Sequence, residues 1–158
     1  MAAPATRRPR SLMQRALAAL ARREYSRAEL QRRLQRYVGE DGGEELARVL
    51  DELQGKGLLS DARFAAMLAR TRGERFGAAR IRQELREHEL SEDLLRPTLA
   101  ALAATEEQRA RAVWQKKFGR PPADDAERVR QLRFLARRGF ATDVILRVIE
   151  GGTESGAE

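Results

Sequence analysis

The sequence predicts an all-α protein of three tandem three-helix repeats forming an elongated, curved helical array. Three observations carry that prediction. Apolar residues recur at helical spacing almost throughout, and no run alternates apolar and polar long enough to argue for a strand. Clusters of Gly, Pro and Ser cut this pattern into short pieces. The pieces then recur at an offset of about fifty residues.

Taken in chain order, Leu12, Ala16, Ala19 and Leu20 form a stripe that predicts a helix over roughly 11–24. Ser26, with Glu29 three residues on, has the spacing of a capping box and opens a second helix over 27–38, striped by Leu30, Leu34 and Val38. The "GEDGG" run at 39–43 breaks the pattern, and Leu46, Val49, Leu50 and Leu53 restart it over 44–55. "GKGLLSD" (55–61) stops that helix, and Ser60 is the expected N-cap of the next, over 61–75. Gly73 and Gly77 bracket "ERF" before a helix over 78–88. Ser91 precedes Glu92 and Asp93, acids favoured by the dipole at the start of a helix over 92–103. Further helices are expected over 106–118, over 124–138 after the "GRPPADDAE" break, and over 142–149 after Gly139. That makes nine helices. Residues 1–10 and 151–158 are expected to be disordered tails, and the repeats to span 11–59, 60–104 and 105–150.

The repeat rests on paired positions. Leu30 and Leu34 meet Ile81 and Leu85 at an offset of 51. Leu85, Leu90, Asp93, Leu94, Leu95 and Leu99 meet Leu135, Phe140, Asp143, Val144, Ile145 and Ile149 at an offset of 50. Such a period marks a tandem helical array, in which each unit buries its apolar face partly against its neighbour.

Charge follows the same beat. The chain carries a net +7 from 31 basic and 24 acidic groups, and its pI of about 10.8 favours polyanionic partners. Residues 1–38 hold ten basic and two acidic groups, 39–62 two and seven, 63–86 seven and two. Residues 87–108 hold one and six, 109–138 ten and three, 139–158 one and four. Only three basic residues are lysines (Lys56, Lys116, Lys117), so the arginine count itself can reflect genome composition. Its placement is more telling: arginine gathers on the first two helices of each repeat and leaves the third acidic. If the repeats stack with a regular rotation, basic helices form one stripe and acidic helices another.

Several function classes are poorly supplied. The chain has no cysteine, which removes disulfides and thiolate zinc sites and suits a reducing cytosol. No apolar run reaches the length of a membrane span, and Arg15, Arg22 and Arg23 interrupt the segment where a secretory signal would need an apolar core. His88 is the single histidine, and "HELSED" reads as a helix end and a cap rather than a catalytic set. The glycines of "RTRGERFGAARIRQEL" (70–85) lack the Lys-Ser/Thr of a phosphate loop. The same stretch offers two helices joined by a Gly-containing turn, so a helix-turn-helix DNA reader is one reading and a plain helical hairpin the other. Phosphate contact by Arg80 and Arg82 near a helix start is compatible with both. With aromatics at 5%, a base-stacking platform is scarcely provided for, and Trp114 and Phe118, four apart, read as a packing pair.

Three segments, "REYSRAELQRRL", "KGLLSDARFAAMLARTRGERFGAARIRQELREHEL" and "RQLRFLARRGFATDVILRVI", closely resemble the RecX family of bacterial regulators of the RecA recombinase. The resemblance covers about residues 12–150. Its most specific parts are Gly57-Leu58-Leu59-Ser60-Asp61 with Arg63-Phe64-Ala65, the Arg-Ile-Arg-Gln-Glu-Leu run, and the closing Phe134-Leu135 with Arg138-Gly139-Phe140. The "GEDGG" loop and Gly-rich tail depart from these signatures. The resemblance implies tandem three-helix repeats and a cytoplasmic, non-enzymatic regulator without cofactors, acting in homologous recombination, DNA repair and the SOS response. It implies binding to RecA and to the RecA–DNA filament groove, limited filament growth, and reduced ATP hydrolysis and strand exchange. Weak direct binding to DNA, no membrane association and a monomeric state are expected. Candidate contacts are Arg70, Arg72, Arg75, Arg80, Arg82, Lys116, Lys117, Arg137 and Arg138. The alternative is a helix-turn-helix-like DNA-binding protein acting independently of RecA.

Overall fold

The computed structural model describes residues 8–154. It is all-helical: among the described residues there are eight α-helices, one short 3₁₀ helix and no strand. The helices are α1 (Leu12–Leu20), α2 (Arg27–Gln35), α3 (Gly43–Gly55), α4 (Asp61–Gly73), α5 (Ala78–Glu87), α6 (Glu92–Lys117), α7 (Asp125–Arg137) and α8 (Thr142–Glu154), with the 3₁₀ helix at Glu40–Gly42. The chain divides into two compact units, residues 1–64 and 65–158, with the boundary inside α4.

In the first unit, α1, α2 and α3 close over Leu12, Ala16, Tyr25, Leu30, Leu34, Leu46, Leu50, Leu53 and Leu59. Each fully buried leucine contributes about 2 kcal/mol of hydrophobic transfer. Caps fix the helix starts. Ser11 Oγ accepts from the Gln14 amide while Gln14 Oε1 accepts from the Ser11 amide, a full capping box. At Ser26 only half of the expected box forms. Its hydroxyl accepts from the Glu29 amide at 3.1 Å, but the Glu29 carboxylate turns away to Arg23 at 2.6 Å. The guanidinium outcompetes a backbone amide for the carboxylate because that bond is charge-assisted at both ends. The first turn of α4 is tied to the same unit: Asp61 Oδ1 accepts from the Arg27 amide at 2.7 Å, capping α2 from outside, and Arg63 pairs with Glu24 at 2.9 Å.

The second unit depends on α6. Twenty-six residues long, it spans about 39 Å. The repeat period predicts two helices here, over 92–103 and 106–118. They are one because nothing in "LAATEEQ" interrupts a helix, so the expected division has no local breaker behind it. The helix also runs through Pro97 in its second turn. Its first half buries Leu95 and Leu102, and its second half buries Ala110 and Trp114 with Leu135, Phe140, Val144, Ile145, Val148 and Ile149 from α7, α8 and the turn between them. The Trp114 indole N–H donates to Gln131 Oε1 at 2.8 Å, and Gln131 Nε2 donates to the Arg120 carbonyl, so the buried polar pair is satisfied. Phe118 packs on the same cluster, edge-on to Phe134 at 5.4 Å.

The last helix also departs from expectation. The sequence pattern ends it at 149, with a tail from 151; α8 instead continues to Glu154, through Gly151 and Gly152. The expected disorder of residues 1–7 and 155–158 lies outside the described residues.

Helix ends recur in a related form. After α3, Gly57 (φ 72°) sends its amide to Gln54, and Leu58 sends its amide to Leu53, a Schellman motif. After α7, Gly139 (φ 89°) and Phe140 bond to Ala136 and Leu135 in the same way. After α5 the corresponding left-handed residue is Glu89 (φ 58°), whose amide bonds to Arg86. Left-handed backbone costs a non-glycine residue about 1–2 kcal/mol. Glu89→Gly is therefore expected to raise the melting temperature of the second unit by roughly 4–8 °C, read by thermal circular dichroism.

Candidate polyanion-binding surface

The turn between α4 and α5 touches the turn between α7 and α8. The Gly77 amide donates to the Arg138 carbonyl at 2.8 Å. A Cβ at Gly77 would stand 2.2–2.4 Å from backbone atoms of Gly139 and Phe140, and one at Gly139 would stand 2.6 Å from Arg80 Cβ. Two backbones meet here without side chains between them, which only glycine permits.

Two side chains one turn apart on α6 hold this joint. Buried Glu106 directs Oε1 to the amides of Ala78 (3.4 Å) and Ala141 (3.3 Å), at the starts of α5 and α8. Arg109 Nη1 donates to the Gly73 and Phe76 carbonyls at 3.0 and 2.7 Å, at the end of α4 and in the turn beyond it. Nη2 donates to the Leu102 carbonyl. Acid at helix starts and base at a helix end both complement the local dipole. Burial pushes the Arg109 pKa below its usual value, and the Glu106 charge opposes that shift. Replacing Glu106 by Ala removes two caps at about 1 kcal/mol each. The expected result is a fall of roughly 10 °C in the melting temperature, with Glu106→Gln, which keeps an acceptor, falling less.

The joint gathers cations from distant parts of the sequence. Arg80 stacks its guanidinium 3.9 Å from the Phe76 ring centre, and Arg138 lies 5.4 Å from Phe76 and 5.1 Å from Phe134. Arg75 is 6.0 Å from Phe76, and Lys117 Nζ is 5.5 Å from Phe134. Lys116 and Lys117 line the same cavity as Arg75 and Arg138. Next to it, Arg137 shares a cavity of about 570 Å³ with Lys117, Phe118, Arg130, Arg133 and Phe134. Six of the nine sequence candidates thus belong to this surface.

The other three stand apart. Arg72 pairs with Glu84 at 3.1 Å. Arg70 lines a separate groove of about 840 Å³ between α4 and α6. Arg82 is exposed on α5 and lines none of these three cavities. Arg130 and Arg133 are absent from the sequence candidates, although their spacing with Arg137 on α7 puts all three on one helix face. Phe76 and Phe134 are absent as stacking partners, because their role depends on contacts across the joint.

Among the described residues, ion pairs of the second unit join Arg72, Arg86, Arg96, Arg111, Arg128 and Arg147 to carboxylates. None of those pairs includes Arg75, Arg80, Lys116, Lys117, Arg137 or Arg138. Converging cations outside any ion pair, in excess over the one nearby carboxylate, create a positive potential that attracts anions. The "HELSED" residues have structural work instead: His88 caps the end of α5, Ser91 Oγ accepts from the Leu94 amide, and Asp93 pairs with Arg96. Among the described residues no helix is long and apolar enough to cross a membrane.

Comparison with known proteins matches residues 60–99 to the second three-helix domain of RecX and residues 105–149 to its third three-helix domain. The chain is 48% identical over 145 residues to the regulatory protein RecX of Ralstonia nicotianae, covering 92% of this chain and 90% of that one. It is 49% identical over 146 residues to that of Leptothrix cholodnii, covering 92% of each. Against that of Pseudomonas putida KT2440 it is 40% identical over 145 residues, covering 90% and 92%. A crystal structure of regulatory protein RecX has the same fold, with a TM-score of 0.72 at 22% identity over 88% of this chain and 71% of that one.

Proposed function

The chain belongs to the RecX family of regulatory proteins, and from that membership we propose that it binds RecA and the RecA–DNA filament, limiting filament extension and lowering ATP hydrolysis and strand exchange. The observation that supports this reading is the convergence of Arg75, Arg80, Lys116, Lys117 and Arg138 around Phe76 and Phe134, without carboxylate partners. A nucleoprotein filament offers DNA phosphates and acidic protein surface to such a face. Arginines stacked on rings lose less freedom on binding than free ones, so the face is pre-organised for its target.

The test adds the protein to preformed RecA filaments and follows ATP turnover. Turnover is expected to fall with added protein, and the effect to weaken as salt rises, because surface charges are screened over about 10 Å at 0.1 M. Unchanged turnover, together with tight sequence-selective binding to bare DNA, would favour a DNA-binding role independent of RecA.

A further inference from the structure

Beneath the basic surface lies a cavity of about 420 Å³, between the turn after α4, the end of α6 and the end of α7. Val113 and Phe134 form its apolar wall; Arg75, Lys116, Lys117 and Arg138 line it, with Glu74 the one carboxylate. We propose that this cavity is a binding site for a compact polyphosphate, either the triphosphate tail of a free nucleotide or an inorganic polyphosphate. The inference rests on reading this face as anion-binding, but it requires neither RecA nor DNA.

Charge, size and chemistry support it together. Four cations face one carboxylate, and among the described residues none of the four takes part in an ion pair. They repel one another unless an anion sits between them. With Glu74 counted, a lone phosphate of about two charges still leaves the site positive, and a chain of linked phosphates does not. The volume is within the range of small-ligand sites, roughly 300–1,000 Å³. The cations are also of two kinds. Arg75 offers a planar fork suited to bidentate phosphate contact, Arg138 the guanidinium N–H groups left over from its bond to the Arg75 carbonyl, and Lys116 and Lys117 point charges from α6. A chain of linked phosphates presents oxygens to both at once.

The experiment is calorimetric titration of the full chain with inorganic tripolyphosphate, with ATP in the absence of divalent cation, and with adenosine. Saturable binding of one tripolyphosphate and one ATP per chain is expected, with none of adenosine. ATP binding more tightly than tripolyphosphate points to the nucleotide source, and equal affinity to recognition of the phosphates alone; both uphold the site. The double variant Lys116→Ala, Lys117→Ala should weaken binding about tenfold or more, the loss expected from one or two charged hydrogen bonds. Arg82→Ala should leave it unchanged, and a thermal melt checks that each variant is folded. Unsaturable tripolyphosphate binding, ATP binding without tripolyphosphate binding, or a folded double variant that binds like the parent would overturn the proposal. The RecA filament assay is read separately, so a failed cavity leaves the proposed function standing, and the reverse.

Discussion

Gly77→Val is expected to cost the second unit upward of roughly 3 kcal/mol, a fall of some 12–24 °C in melting temperature. The reason is backbone against backbone. A Cβ at position 77 would stand 2.2 Å from the Gly139 oxygen and 2.4 Å from the Phe140 nitrogen, and neither atom belongs to a side chain that can swing aside. Relief requires the two turns to separate, which breaks the Gly77–Arg138 hydrogen bond and draws the Glu106 carboxylate away from one of its two amides. Gly55 provides the contrast. It ends α3, and a Cβ there would meet nothing within 4 Å, so Gly55→Ala is expected to stabilise the first unit by up to about 1 kcal/mol. Thermal melts of the two variants check both. A Gly77→Val protein melting within a few degrees of the parent would show that the joint is not rigid.

The second large effect is on binding. Reversing Arg75, Lys116 and Lys117 to Glu should weaken engagement of RecA filaments at least about a hundredfold, roughly 3 kcal/mol, because like charges then face the anionic target. All three side chains are exposed, and none belongs to an ion pair among the described residues, so the fold should survive. Arg138 is left in place because its Nη1 donates to the Arg75 carbonyl. Arg72 is a poor choice for the same test: Arg72→Glu would set a second carboxylate beside Glu84 and confuse a folding defect with a binding one. Filament ATP turnover and co-sedimentation measure the effect. Inhibition unchanged at moderate salt would remove this surface from the interaction.

The helical class and most helix starts were legible in the chain alone. Ser26, Ser60 and Ser91 each accept from the amide three residues on, a contact that neighbouring residues make without outside help. The apolar positions of the repeat were legible too, since Leu30, Leu34, Ile81, Leu85 and Leu135 are all buried. So was the basic character of the 70–85 stretch, but not what that character meant. Of the five arginines there, Arg75 and Arg80 join the cluster, Arg72 is tied to Glu84, Arg70 lines another groove, and Arg82 stays outside. That sorting is made by packing in three dimensions. Gly77 and Gly139 lie about sixty residues apart in sequence, yet their backbones touch. Glu106 looks like one more acid beside Glu107 until two helix starts are brought to it. Helix caps and stripes arise within a few residues and leave a local pattern. A charge site or a clamp is made by residues whose neighbours are set by packing, and packing distances are not written in local spacing.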